Sequence, residues 1–261
     1  MKLIHKITII FLLISLIRCG SDGEGENIQP PPAPAVPPFG GTIFLDPDII
    51  TEDDPTTFVS LSYSGQAERV MYDRRVNNWI NSTPFLFDAV FDDGLEIEIQ
   101  VNPEFGKDAG EVLSLKYAEV IGRLPTALRK DVETVWIHRG TEPFGGGNNN
   151  LLIHTGQSTL YENDGILEET FVHEASHTSL DAEHASSSGW IAAQKADGNF
   201  ISTYARDNPQ REDIAETYLL YFALRYRPGR ISESLKNTIT RTIPNRIEYF
   251  EGLELDMHPV E

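Results

Sequence analysis

The sequence predicts an α+β fold from three observations. Leu95 to Val101 alternates apolar and polar residues with the period of a half-buried strand, and Val132–His138 and Leu151–Thr155 also read as strands. Glu168 to His177 has helical character and carries two histidines four residues apart. A long apolar helix is expected from Pro209 to Tyr226, stopping before Pro228-Gly229. With 261 residues, 40% of them hydrophobic, the chain can form one large domain or two lobes around a cleft.

Residues 1–18 have the pattern of an export signal. Lys2 and Lys6 form a positive start, and Ile7 to Ile17 is an uncharged, mostly apolar run too short to span a membrane comfortably. The arrangement resembles a bacterial lipoprotein signal, with Leu16-Ile17-Arg18-Cys19 as the lipobox and Cys19 as the lipidated residue. Arg18 stands where that pattern has a small residue. Cleavage nearby by ordinary signal peptidase, or retention as an uncleaved anchor, are the other two outcomes. The expected location is the bacterial cell envelope, lipid-anchored to a membrane, with secretion as the alternative. Cys19 is the only cysteine, so no internal disulfide is expected. Residues 19–40 then combine the anchor cysteine with a Pro- and Gly-rich tether, including Pro30-Pro31-Pro32-Ala33-Pro34 and Pro37-Pro38, ahead of a domain at residues 41–261.

Within that domain, Thr42–Leu45 and Thr57–Tyr63 have strand composition, and Glu68–Ile80 is expected to be helical. Ala109–Leu124 shows helical spacing through Leu113, Tyr117, Val120, Ile121 and Leu124, with Pro125 setting its limit. Val135-Trp136-Ile137 is the continuous apolar run of a central strand. Gly145-Gly146-Gly147-Asn148-Asn149-Asn150 lacks the Lys-Ser/Thr ending of a phosphate-binding loop and reads as a flexible loop. Leu151–Thr155 is expected at a sheet edge beside a cleft, where an extended peptide can pair with it, and His154 is expected at the surface or supporting a neighbour.

The helix expected after the turn signal Asn163-Asp164-Gly165 contains His173-Glu174-Ala175-Ser176-His177, the pattern H-E-x-x-H. Residues four apart share a helix face, so His173 and His177 can point at one ion about 2 Å from each ring nitrogen. Glu174 leans over the same edge and can reach a water beside that ion, the placement of a general base. Five-residue patterns with two free positions also arise by chance, and histidines also cap or pack helices. The apolar residues Ile166, Leu167 and Phe171 favour a buried helix, whose histidine nitrogens need partners.

The candidates for a third ligand are Asp181, His184, Glu212 and Glu216. A metzincin pattern would place histidine at 183 and glycine at 180, but this chain has Glu183 and Leu180, with His184 one place late. Asp181 fits a turn or a carboxylate supporting a ligand. Trp190–Ala196 is expected to be a short helix ended by Asp197-Gly198. Farther on, Asn208 and Pro209 form a helix start, which puts Glu212 and Glu216 one turn apart on an apolar helix and leaves Asp213 to solvent. Inward-facing acids need a metal or a cation, and Arg206 or Arg211 is the alternative partner.

HEASH followed by STYARDNPQREDIAE resembles the zincin metallopeptidases of the gluzincin type, especially the anthrax lethal factor-like catalytic domain. The resemblance covers roughly residues 165–226, with Ser176 in place of a glycine common in that motif. It implies a zincin-like fold, in which a twisted mixed sheet lies over the H-E-x-x-H helix and the C-terminal part is helical. It also implies Zn2+ held by His173, His177 and Glu212, Glu174 as catalytic base, Glu216 orienting a histidine, and Tyr204 stabilising an oxyanion. The expected activity is zinc-dependent hydrolysis of peptide bonds in a protein or peptide substrate. The alternative is a lipid-anchored surface binding protein with a structural or degenerate zinc site. The formal charge of −19 argues against nucleic acid and against anionic lipid held by a basic surface. Membrane association is expected only through the lipid anchor, and the protein is expected to be a monomer.

Overall fold

Apolar alternation is clearest in one central strand of the sheet, Glu96–Val101, whereas every residue of Asn150–His154 is buried. The computed structural model describes residues 35–45 and 49–260. The export signal, Cys19 and most of the tether lie outside the described residues. The strands are β1 (Phe58–Gln66), β2 (Arg69–Asp73), β3 (Asn78–Ser82), β4 (Phe85–Phe91), β5 (Glu96–Val101), β6 (Thr134–His138), β7 (Gly145–Gly147) and β8 (Asn150–His154). Six of them form one mixed sheet in the order β1-β4-β5-β6-β8-β7, and β2 and β3 form a separate hairpin. The β5–β6 and β6–β8 pairs are parallel, and the β1–β4, β4–β5 and β7–β8 pairs are antiparallel. Ile97, Ile99 and Val101 of β5 are buried, as their alternation requires.

The helices are α1 (Lys107–Gly122), α2 (Thr126–Arg129), α3 (Thr155–Asn163), α4 (Leu167–Ser179), α5 (Ser188–Asp197), α6 (Thr203–Asp207), α7 (Asp213–Tyr226), α8 (Glu233–Thr242) and α9 (Pro244–Glu251). The fold is therefore α+β, with a mixed sheet and a helical C-terminal part. α1 crosses from β5 toward β6 and buries Tyr117, Ala118 and Ile121, while Gly110 lets it approach Phe87 and Val101. α5 ends at Gly198, whose φ of 65° is the left-handed conformation that closes many helices. No helix among the described residues is long and apolar enough to cross a membrane.

Five local expectations are corrected. Glu68–Ile80 is the β2–β3 hairpin, because Val70, Tyr72, Val76, Trp79 and Ile80 are strand formers and Asn77 turns the chain at φ 50°. Tyr72 pairs with Trp79 across it, ring centroids 5.5 Å apart. The triple glycine is strand β7, and Asn148 and Asn149, at φ 53° and 56°, make the two-residue turn into β8. β8 is consequently interior and β7 is the edge. His154 is fully buried, its ring stacked on that of His138, its register partner in β6. Thr42–Leu45 forms no strand and runs as a strap whose neighbour Phe39 bridges to Ser202.

The long C-terminal helix begins later than Pro209. Residues 208–212 form a turn, with the Arg211 and Glu212 amides bonded to the Asn208 carbonyl, and α7 starts at Asp213. Asp213 is buried rather than solvated. Arg246 of α9 bonds it at 2.9 Å and Asp197 of α5 at 3.1 Å, all three side chains fully enclosed. Burial pushes the Asp213 carboxyl up to about 6 although Arg246 opposes the shift. These charges tie three helices together behind the turn that carries Glu212.

Candidate metal centre

α4 and α7 pack against each other, and their contact brings three donor atoms together. His177 Nε2 lies 3.2 Å from His173 Nε2 and 3.1 Å from Glu212 Oε2, and His173 Nε2 lies 3.3 Å from the same oxygen. A tetrahedral ion with bonds of about 2.0–2.1 Å needs donor separations of about 3.3–3.4 Å, so the triangle fits such an ion. His173, His177 and Glu212 form the one group of this kind among the described residues, and all three are buried.

The tautomers reinforce the fit. His177 Nδ1 is 2.8 Å from Asp181 Oδ2, and because a carboxylate only accepts, the neutral ring carries its proton on Nδ1 and turns the Nε2 lone pair to the triangle. A short π-helical turn, Asp181–Ala185, follows α4 directly and supplies that carboxylate. His173 Nδ1 faces Glu216 Oε1 at 3.7 Å. Glu216 is fully buried, accepting from the Ser202 hydroxyl at 2.6 Å and from the Ile43 amide at 3.1 Å. Ser202 also caps α6 by accepting from the Ala205 amide. Ser176 is accommodated inside α4 because its hydroxyl bonds the Val172 carbonyl at 2.7 Å.

Three electron-rich atoms at this spacing demand positive charge. Burial works against a charged His177, but hydrogen bonds to Asp181 and Glu212 push it up to about 10. Burial favours protonated Glu212, yet the two histidines hold it well below the usual carboxylate range. A proton on His177 meets the demand in part, and a divalent cation meets it with two charges. Burial also pushes Glu216 up to about 7, against the Ser202 hydrogen bond.

The triangle opens into a cleft of roughly 440 Å³ lined also by Glu174, Tyr204, Arg211, Phe44 and Arg74. Glu174 is half-buried, and Tyr204 projects from the short helix α6. Burial, then the Glu212 charge, pushes the Tyr204 phenol up to about 12, so it remains a hydrogen-bond donor at neutral pH. Arg211 Nε lies 3.2 Å from Glu212 Oε1, the oxygen outside the triangle, while staying largely exposed, so the arginine expected as an alternative partner forms an ion pair with this acid. Strand β7 packs on α4 behind Glu174. A Cβ at Gly146 would overlap the Glu174 carbonyl oxygen, and the Gly147 amide donates to Thr178 Oγ1 at 2.8 Å.

The structure thus gathers His173, His177, Glu212, Glu174 and Tyr204 at one cleft, with Glu216 and Asp181 behind the histidines. His184 stands apart, hydrogen-bonded to the Tyr249 hydroxyl at 2.8 Å. Sequence reasoning missed the strap residues Thr42 and Phe44 and Arg74 as cleft components, and Ser202 as the donor to Glu216. Only the GGG run carried a local signal for a close backbone approach. The chain matches no family model, no curated protein and no solved structure.

Proposed function

We propose that this chain is a zinc-dependent peptidase with a zincin-like fold of the gluzincin type. The observation that carries the reading is the 3.1–3.3 Å triangle of His173, His177 and Glu212 opening into a cleft shared with Glu174 and Tyr204. Held by those three side chains, zinc would supply a Lewis acid that polarises a carbonyl and acidifies water. Asp181 keeps His177 in the tautomer that presents Nε2, and Glu216 faces His173 from behind. The Glu174 carboxylate takes the proton of the attacking water and delivers it to the leaving amine. The Tyr204 hydroxyl donates to the carbonyl oxygen as that oxygen gains charge. β7, the edge strand of the sheet, is the proposed pairing site for an extended substrate.

The test is metal analysis of the full-length protein together with a peptide-library digest. One zinc per chain and cleavage are expected. Glu174→Gln is expected to keep the zinc and to lower hydrolysis by at least about two orders of magnitude. A metal-free protein, or a Glu174→Gln variant as active as the parent, would overturn the reading.

A further inference from the structure

Arg74 and Arg75 are adjacent in sequence but differ in environment. Arg75 is engaged on both sides, 2.7 Å from Asp73 and 2.9 Å from Glu104. Arg74 has no carboxylate in ion-pair reach among the described residues, although the chain carries nearly twice as many acids as bases. Its guanidinium lies against β7, where a Cβ at Gly145 would stand 2.7 Å from Nη2. There it lines the metal cleft and also a second groove of roughly 210 Å³ that β7 itself lines. That groove is walled by Tyr72, Trp79 and Trp136. Trp79 is half exposed and meets the other two rings edge-on at 5.5 and 5.4 Å.

We infer that Arg74 is a specificity-determining residue that binds a substrate carboxylate at the junction of the metal cleft and the aromatic groove. The preferred substrate then carries that carboxylate beside an apolar side chain. This deepens the peptidase reading and rests on it for the word substrate.

Three features favour a carboxylate. The planar guanidinium fork matches carboxylate geometry with two parallel hydrogen bonds. The other cation lining the cleft, Arg211, is engaged by Glu212, and the remaining charged side chains there, Glu174 and Glu212, repel an anion. Apart from the zinc that His173, His177 and Glu212 would hold, Arg74 is therefore the cation open to an anionic group in the cleft. The neighbouring rings provide a rigid, partly exposed apolar surface of the kind that anchors a bound side chain. The carboxylate has two sources, an acidic side chain or the C-terminus of a peptide.

The experiment measures binding by fluorescence anisotropy in full-length protein loaded with zinc, in a Glu174→Gln background so that the probes are not consumed. Three labelled peptides are compared. One has a glutamine-phenylalanine-glutamine core and an amidated end, the second a glutamate-phenylalanine-glutamate core with the same end, and the third is neutral but ends at phenylalanine with a free carboxylate. At least one carboxylate peptide should bind about ten- to a hundredfold tighter than the neutral amide, the range for a charge-assisted hydrogen bond. Which of the two does so identifies the source. Adding Arg74→Gln should erase the preference, and Arg74→Lys should keep part of it. Trp79→Ala should weaken all three alike.

Equal binding of the three peptides by the parent protein, or a preference that survives Arg74→Gln, would overturn the inference. A protein that discriminates through Arg74 but cleaves nothing supports this site and removes the peptidase reading. Cleavage without charge discrimination removes this site alone.

Discussion

Gly146 of the edge strand passes so close to Glu174 of the H-E-x-x-H helix that any side chain at 146 would collide with the Glu174 main-chain oxygen. The triple glycine therefore sets how tightly β7 lies on α4, and through that contact where the Glu174 carboxylate stands. Gly146→Ala is expected to cost about 1–3 kcal/mol, the range for overpacking a close contact. It should reduce hydrolysis while leaving zinc content near one per chain. Thermal melting and metal analysis check this, and a variant with parental stability would show that the contact is slack.

Glu212→Ala should lower zinc stoichiometry and melting temperature together, because metal binding is linked to folding. His184→Ala should leave zinc stoichiometry unchanged, since its ring is bonded to Tyr249. The reverse pattern of zinc loss would move the third ligand to His184.

Tyr204→Phe separates an oxyanion donor from a packing residue. Loss of the donor should lower kcat by about ten- to a thousandfold, with KM, zinc content and melting temperature nearly unchanged. Full turnover in this variant would assign Tyr204 to packing.

His138 should make the protein acid-labile independently of the metal centre. Asn102 Nδ2 donates to its Nδ1, so the neutral ring carries its proton on the buried Nε2. Burial lowers its pKa from 6.5 to about 4, the nearby Asp73 only partly opposing this. Between those two values the unfolded chain binds the proton and the folded chain does not, so stability falls as pH falls through the window and levels off below it. The loss is on the order of 3 kcal/mol. Denaturant titrations from pH 7 to pH 4 should show it, and His138→Asn should flatten the curve. An unchanged slope in that variant would place the acid sensitivity elsewhere.

Much of the fold is legible locally. The β5 alternation, the α1 spacing, the Asn163-Asp164-Gly165 turn before α4 and the Gly198 end of α5 all reflect the period of one-sided burial or a conformation that few residues adopt. The β2–β3 hairpin is read less well because Glu68, Arg69, Arg74 and Arg75 are compatible with a helix, while the packing of Tyr72 and Trp79 across the hairpin favours strands. Asp213 looks solvated in sequence because its partner Arg246 lies 33 residues away.

The same division runs through the site. Two histidines four residues apart share a face wherever α4 forms, since that spacing is close to one helical turn, so their pairing and the position of Glu174 beside them follow from the chain alone. The distance from His177 to Glu212 spans 35 residues and depends on α7 packing against α4. The edge position of β7, the burial of His154 and the environment that distinguishes Arg74 from Arg75 likewise come from long-range packing. Local spacing constrains only groups joined by a few bonds, whereas these positions depend on which buried surfaces meet when the whole chain closes.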